Sequence, residues 1–133
     1  MTIITNDFMN NFLFSTVIID DEVSAILDLI DLLNAFPSIN IIGTATNLDE
    51  GVELIKVTHP KIVFVDIDMP NRSGIEIFDE FDFIDFKIIF CSSKKYFTNN
   101  NIRNSTCEYL SKPLDIIKLH EHLEKVFYEL LVE

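Results

Sequence analysis

Residues 15–33 read STVIIDDEVSAILDLIDLL. A β-branched apolar run, Thr16–Ile19, ends in three acids, Asp20-Asp21-Glu22. From there Val23, Ile26, Leu27, Ile30 and Leu33 recur at i, i+3, i+4 and i+7, the spacing of one helix face. A strand that ends in carboxylates and leads straight into a helix is the unit from which the rest of the chain is built. Short apolar runs return at Ile39–Ala45, Lys61–Val65, Lys87–Cys91 and Cys107–Leu110. Helical spacing fills the intervals. Asn47 with Glu50 reads as a capping box ahead of Leu48, Val52 and Ile55. Ile75, Phe78 and Phe81 follow Ser73-Gly74, and a last helix is expected from Pro113, in its first turn, through Ile116, Leu119, Leu123, Val126, Phe127 and Leu130. The interval 94–104 is the weakest helix candidate, because Asn99-Asn100-Asn101 favours local side-chain–backbone bonds, and residues 98–104 are expected to be the most mobile internal segment.

Strand and helix alternating five times predict an α/β fold: a five-stranded parallel sheet, doubly wound, with helices on both faces. The strands are continuously apolar rather than alternating, as strands covered on both faces are. No repeat or linker divides the chain, so one domain over 15–133 with an N-terminal extension over 1–14 is expected.

Composition narrows the function. Of 133 residues 48% are hydrophobic, enough for a core and against a disordered chain. Ten basic residues against 22 acidic ones leave a net charge of -12, which repels phosphate backbones and anionic lipid; direct nucleic-acid or membrane binding by this domain is not expected. No apolar run reaches the roughly 18 residues of a membrane span. The N-terminus lacks the basic stretch of a secretory signal, and the two cysteines, Cys91 and Cys107, suit a reducing compartment, so a cytoplasmic location is expected.

In a sheet of this kind ligands bind at the carboxyl ends of the strands. Those ends carry Asp20-Asp21, Asp66 with Asp68, Ser92-Ser93 and Lys112-Pro113. Carboxylates gathered at one edge repel, and a hard divalent cation held by oxygen relieves that; Mg²⁺ suits such a donor set. A carboxylate nucleophile, a metal, an ammonium and a hydroxyl together make a kit for phosphoryl transfer, which is mostly positioning and charge neutralisation. Asp20-Asp21 alone would read as a helix cap, Lys112 alone as a solvated lysine and Tyr109 as a strand aromatic; it is their company that makes them a site. Cys91 and Cys107 read as inert core thiols, His59 as a loop residue, and His120 with His122 as no metal pair, since i and i+2 diverge on a helix.

These residues resemble the receiver domain of two-component response regulators. Asp66-Ile67-Asp68-Met69-Pro70-Asn71-Arg72-Ser73-Gly74 fits the D-x-x-M-P-x-x-x-G phosphoacceptor motif, Asp20-Asp21 the acidic pair, Ser92 the Ser/Thr position and Tyr109-Leu110-Ser111-Lys112-Pro113 the aromatic-x-x-Lys-Pro ending. The likeness covers about residues 15–130. It implies the flavodoxin-like receiver fold with strand order 2-1-3-4-5 and a phosphoacceptor switch rather than an enzyme acting on other molecules. It implies that Asp66 takes a phosphoryl group from a histidine kinase and that Asp21, Asp66 and the backbone carbonyl of Asp68 ligate Mg²⁺, with Asp20 acting mainly through water. Lys112 and Ser92 would contact the phosphoryl oxygens, Tyr109 would turn inward as Ser92 moves, and the Lys112-Pro113 bond would be cis. Phosphorylation could change a homodimer surface. Phe97 and Ile102 make the stretch 92–112 look most like receivers of the LytTR subfamily, which usually carry a C-terminal DNA-binding domain; the sequence leaves open a stand-alone regulator or a piece of a longer one. Ser93 in place of the family's common Ala is a departure.

Two other classes compete. Asp66-Ile67-Asp68 is also a D-x-D, as in haloacid-dehalogenase-like phosphatases, but those keep their metal acids after the lysine, whereas here Asp20-Asp21 precedes the nucleophile. A receiver-like module that binds without phosphorylation usually lacks an acid or the lysine, and neither is missing. One further expectation concerns Asp68 and Lys94, each two residues past a strand-end site residue: they would pair across the open face and slow hydrolysis of an acyl phosphate.

Overall fold

The computed structural model describes residues 9–94 and 107–132. Five strands, β1 (Phe14–Ile19), β2 (Ile39–Ala45), β3 (Ile62–Asp66), β4 (Lys87–Ser92) and β5 (Cys107–Ser111), form one sheet in the order β2-β1-β3-β4-β5, every neighbouring pair parallel. Among the described residues α1 (Val23–Leu33), α2 (Leu48–Thr58) and α3 (Ile116–Val132), with a 3-10 helix over Gly74–Glu80, cover it. This is the flavodoxin-like doubly wound fold expected from the alternation of strand and helix.

Why the strand runs are apolar throughout is visible in where alternate side chains go. In β3, Ile62 and Phe64 join one core with α1 and α3, while Val63 and Val65 join a second with α2 and the 3-10 helix. In β4, Ile89 and Cys91 face the first core and Ile88 and Phe90 the second. Successive strand residues point to opposite faces, so a strand buried on both sides needs an apolar residue at every position. The edge strand β2 shows the contrast: Asn40, Ile42 and Thr44 are exposed on alternate positions, and only Ala45 is buried.

Three expectations are corrected. Phe14, assigned to the extension, is the first residue of β1; it is buried and stacks on Phe127 of α3 at 5.2 Å, so the packing of its ring, not a periodic pattern, fixes where the strand begins. Met9 and Phe12 also pack on the first core. The segment after Ser73-Gly74 is a 3-10 helix of seven residues, not an α-helix. Its Ser73–Glu76 capping box starts it, but the aromatic and acidic run that follows turns extended at Phe81, where Phe81 sets its ring edge-on against Phe86 at 5.3 Å. The helix α3 begins at Ile116 rather than with Pro113 in its first turn, because the Asp115 carboxylate accepts from the Lys118 amide (2.9 Å) and caps it there. The candidate helix 94–104, the mobile segment 98–104, and Phe97 and Ile102 lie outside the described residues, save Lys94 itself.

The helix α2 starts as expected, with Asn47 accepting from the Glu50 amide at 2.8 Å. It ends at His59, whose φ of 48° lies in the left-handed region that β-carbon-bearing residues avoid. His59→Gly is therefore expected to stabilise the fold by about 0.5–1 kcal/mol, read as a shift in urea midpoint at constant slope. At α2's inner face a Cβ on Gly51 would stand 2.3 Å from Ile19 Cδ1, so glycine is what lets the helix close onto β1 just below the acidic pair. Among the described residues no helix is long and apolar enough to cross a membrane.

Candidate functional site

Parallel strands end at one edge, and the sequence puts its carboxylates there. Asp20 follows β1, Asp66 is the last residue of β3, Ser92 the last of β4, and Lys112 follows β5. Asp20, Asp66 and Ser92 are buried; Asp21 is half-buried. The Lys112 ammonium reaches across the sheet to Asp20 Oδ2 at 2.9 Å and to Asp66 Oδ2 at 3.6 Å. The Lys112-Pro113 bond is cis, as the resemblance implied.

Asp20 and Asp66 are each aimed by the backbone beside them. The Glu22 amide donates to Asp20 Oδ1 (3.0 Å), which holds Asp20 in the turn between β1 and α1 while its other oxygen faces the site. The Asp68 amide donates to Asp66 Oδ1 (3.1 Å), turning the chain out of β3. Burial pushes the Asp66 carboxyl up to about 6, a rise that Asp20 and Asp68 reinforce and that the Asp68 amide and Lys112 oppose. Burial pulls Lys112 down, but its hydrogen bond to Asp20 and the nearby charge of Asp66 outweigh this and hold it above the usual lysine range. Burial likewise pushes the Cys91 thiol up to about 12, so it keeps its proton beside the site.

The motif's last residue has a steric reason. A Cβ on Gly74 would lie 2.3 Å from the carbonyl oxygen of Asp66 itself, and the Gly74 amide donates to the Ile67 carbonyl at 3.3 Å. The loop from Ile67 to Ser73 thus folds back onto the strand end it left, with Asn71 at φ 68° making the reversal. Gly74→Ala is expected to cost about 1–3 kcal/mol by forcing backbone against backbone, measured by denaturant unfolding, and to displace Asp66.

Two features escaped the sequence reading. In the motif Arg72 stands at an unspecified position. Its guanidinium meets Asp49 of α2 and Glu80 of the 3-10 helix, each at 2.7 Å, and Glu76 at 3.4 Å, fastening the loop after Asp66 to two neighbouring elements. A basic residue in so acidic a chain was the available signal. The second is the Asp68 side chain. The Lys94 ammonium stands 3.9 Å from its Oδ1, so the expected neighbours do meet, but Lys94 is half exposed and the carboxylate is held instead by β4: Ser92 Oγ donates to Asp68 Oδ2 at 2.7 Å and the Ser93 amide at 3.0 Å. Tyr109 donates its hydroxyl to the Lys94 carbonyl (2.7 Å). His122 Nδ1 lies 2.9 Å from Glu108, and His120 Nδ1 lies 3.7 Å from a different carboxylate, Glu124.

The donor set suits a hard divalent cation. Asp20, Asp21 and Asp66 each present one oxygen, all within 4.8 Å of one another. Three carboxylates against the single ammonium of Lys112 leave two uncompensated negative charges at a partly buried edge, and all donors are oxygen.

Sheet order and site together define a receiver-class α/β domain. The chain belongs to the response regulator receiver domain family, which it matches over residues 16–124. An uncharacterized response regulatory protein of Shewanella oneidensis is 34% identical over 115 residues, 86% of this chain and 49% of that protein. The sensory transduction protein LytR of Staphylococcus haemolyticus is 27% identical over 117 residues, 86% of this chain and 46% of that one. The chain spans about half the length of the curated relatives it matches. Among solved structures, a LuxR-family DNA-binding response regulator from Staphylococcus aureus superposes with a TM-score of 0.75 at 25% identity, covering 86% of this chain and 99% of that one. A chain of the CheX–CheY–BeF3–Mg²⁺ complex from Borrelia burgdorferi gives 0.72 at 27% identity, with 87% and 90% covered.

Proposed function

We propose that this protein is a phosphoacceptor signalling switch in which Asp66 takes a phosphoryl group from a histidine kinase. One observation carries the reading: a lysine from the end of β5 bonds the acid after β1 while facing the buried acid that ends β3. A carboxylate oxygen of Asp66 attacks phosphorus opposite the departing imidazole nitrogen; the O–P bond forms as the P–N bond breaks, and the freed imidazole takes its proton from water. The Lys112 ammonium balances charge on the phosphoryl oxygens, and Ser92 donates its hydroxyl proton to one of them. Asp21 and Asp66, with the backbone carbonyl of Asp68, would hold Mg²⁺, and Asp20 would act through water and through Lys112. Bound there, Mg²⁺ supplies positive charge against the oxygens of the group in transit. Movement of Ser92 pulls on Ser93 and Lys94, and through the Lys94 carbonyl on Tyr109, which is how the output face learns of the phosphoryl group. The Borrelia relative's beryllofluoride and Mg²⁺ support this chemistry.

The acyl phosphate later hydrolyses, and the domain acts on no other molecule. The receiver domain begins with β1 at Phe14, and the residues before it are an extension; dimerisation on phosphorylation, a LytTR-type grouping with a C-terminal DNA-binding domain in a longer chain, and a cytoplasmic location complete the reading. A binding module independent of phosphorylation would not need the full set of acids and lysine. The test is incubation with phosphoramidate and intact-mass measurement. The parent should gain one phosphoryl group with Mg²⁺ and none with EDTA; a gain that ignores Mg²⁺ would refute the metal's role, and no gain under either condition would refute the switch.

A further inference from the structure

Ser92 is fully buried and its hydroxyl has one proton to give. That proton goes to Asp68 Oδ2 at 2.7 Å, while the same Oγ accepts from the Lys94 amide at 3.0 Å. Asp68 Oδ2 also takes the Ser93 amide (3.0 Å) and the Ser93 hydroxyl (3.4 Å). The common alanine at position 93 would offer no hydroxyl; this chain adds one, aimed at the same oxygen. Beyond Lys94, the chain of bonds continues from its carbonyl to the Tyr109 hydroxyl at 2.7 Å.

We propose that Asp68 is a built-in latch on the switch: its carboxylate occupies, in the resting protein, the donor that a phosphoryl group on Asp66 must recruit. The proposal rests on Asp66 being the phosphoacceptor. A phosphoryl group brings a charge of about −1.5 to −2 and three strong acceptor oxygens two residues from Asp68. It therefore offers Ser92 a second acceptor and repels the first. Activation becomes an exchange of acceptors at one hydroxyl, and the strength of the Asp68 contacts sets how far the resting equilibrium lies from the active arrangement. Asp68 is a positioning residue in this account, acting on the phosphoryl group through Ser92. The latch differs from a barrier to water: it restrains Ser92 before any phosphoryl group arrives.

Beryllofluoride with Mg²⁺ is the probe, its affinity measured by calorimetry. Asp68→Ala should bind it about tenfold more tightly than the parent, the worth of one hydrogen bond to a charged group, with Asp68→Asn, which keeps an acceptor oxygen, in between. In a Ser92→Ala background the gain from Asp68→Ala should shrink to the part due to removing a like charge, because no proton remains to compete for. An unchanged affinity overturns the latch. So does an equal gain in both backgrounds, which would be the removal of a like charge and nothing more. A second readout needs no phosphoryl analogue. In the ligand-free protein the Tyr109 ring resonances should shift in Asp68→Ala and in Ser92→Ala alike, and no further in the double variant; resonances that stay in place overturn the latch. A parent that takes up no beryllofluoride would instead overturn the phosphoacceptor reading, leaving the tyrosine result to decide the latch separately.

Discussion

Asp66→Asn is expected to make the metal-free protein more stable at neutral pH, by about 3 kcal/mol. The folded carboxyl is pushed up to about 6 from an ordinary 3.8 by burial, with Asp20 and Asp68 adding to the rise. Between those two values the folded chain keeps a proton that the unfolded chain has lost. Stability from this group therefore falls as pH rises through the window, and above pH 6 the full cost is present: about two pH units at 1.36 kcal/mol each. Asparagine carries no charge to desolvate and still accepts from the Asp68 amide, and Lys112 keeps Asp20. Urea unfolding in EDTA should show the variant ahead of the parent at pH 7.5, the gap closing as pH falls toward 4. Saturating Mg²⁺ should narrow the gap at pH 7.5 by stabilising the parent. A pH-independent difference, or a variant less stable than the parent, would mean that Asp66 is not the strained group.

The second large effect concerns Lys112. Removing it takes the only ammonium bonded to Asp20 and facing Asp66 among the described residues. Lys112→Met should slow phosphorylation by phosphoramidate by about 10²–10³-fold, the usual loss when a preorganised charge donor leaves a phosphoryl or oxyanion site. The same change leaves three carboxylates with no counter-charge, so Mg²⁺ should bind more tightly, not less. The two effects have opposite signs, which a general collapse of the edge could not produce. Equal loss of both would show that Lys112 serves only to hold the edge together.

The sheet was legible in the sequence because burial on both faces leaves continuous apolar runs, and acids at the ends of Thr16–Ile19 and Lys61–Val65 mark the edge that carries the candidate site. Asp20, Asp21, Asp66 and Lys112 come together there as the motifs implied. What stayed hidden depends on distance rather than pattern. Phe14 belongs to β1 through a ring stack with Phe127, more than a hundred residues away in sequence. The 3-10 helix has α-like spacing at Ile75, Phe78 and Phe81, which is also every third residue, so period alone could not separate the two. Arg72 and the Asp68 side chain act across gaps between elements, to Asp49 and Glu80 and to Ser92 and Ser93, and no local periodicity encodes such partners.

The claim that Asp66 carries the phosphoryl group is tested most directly by locating the adduct. An acyl phosphate on aspartate is reduced by borohydride to homoserine, which survives digestion. After treatment with phosphoramidate and Mg²⁺, reduction and peptide mass mapping should place homoserine at position 66 alone. Homoserine at position 20, 21 or 68, or a phosphoryl adduct of undiminished yield on Asp66→Asn, would contradict the account.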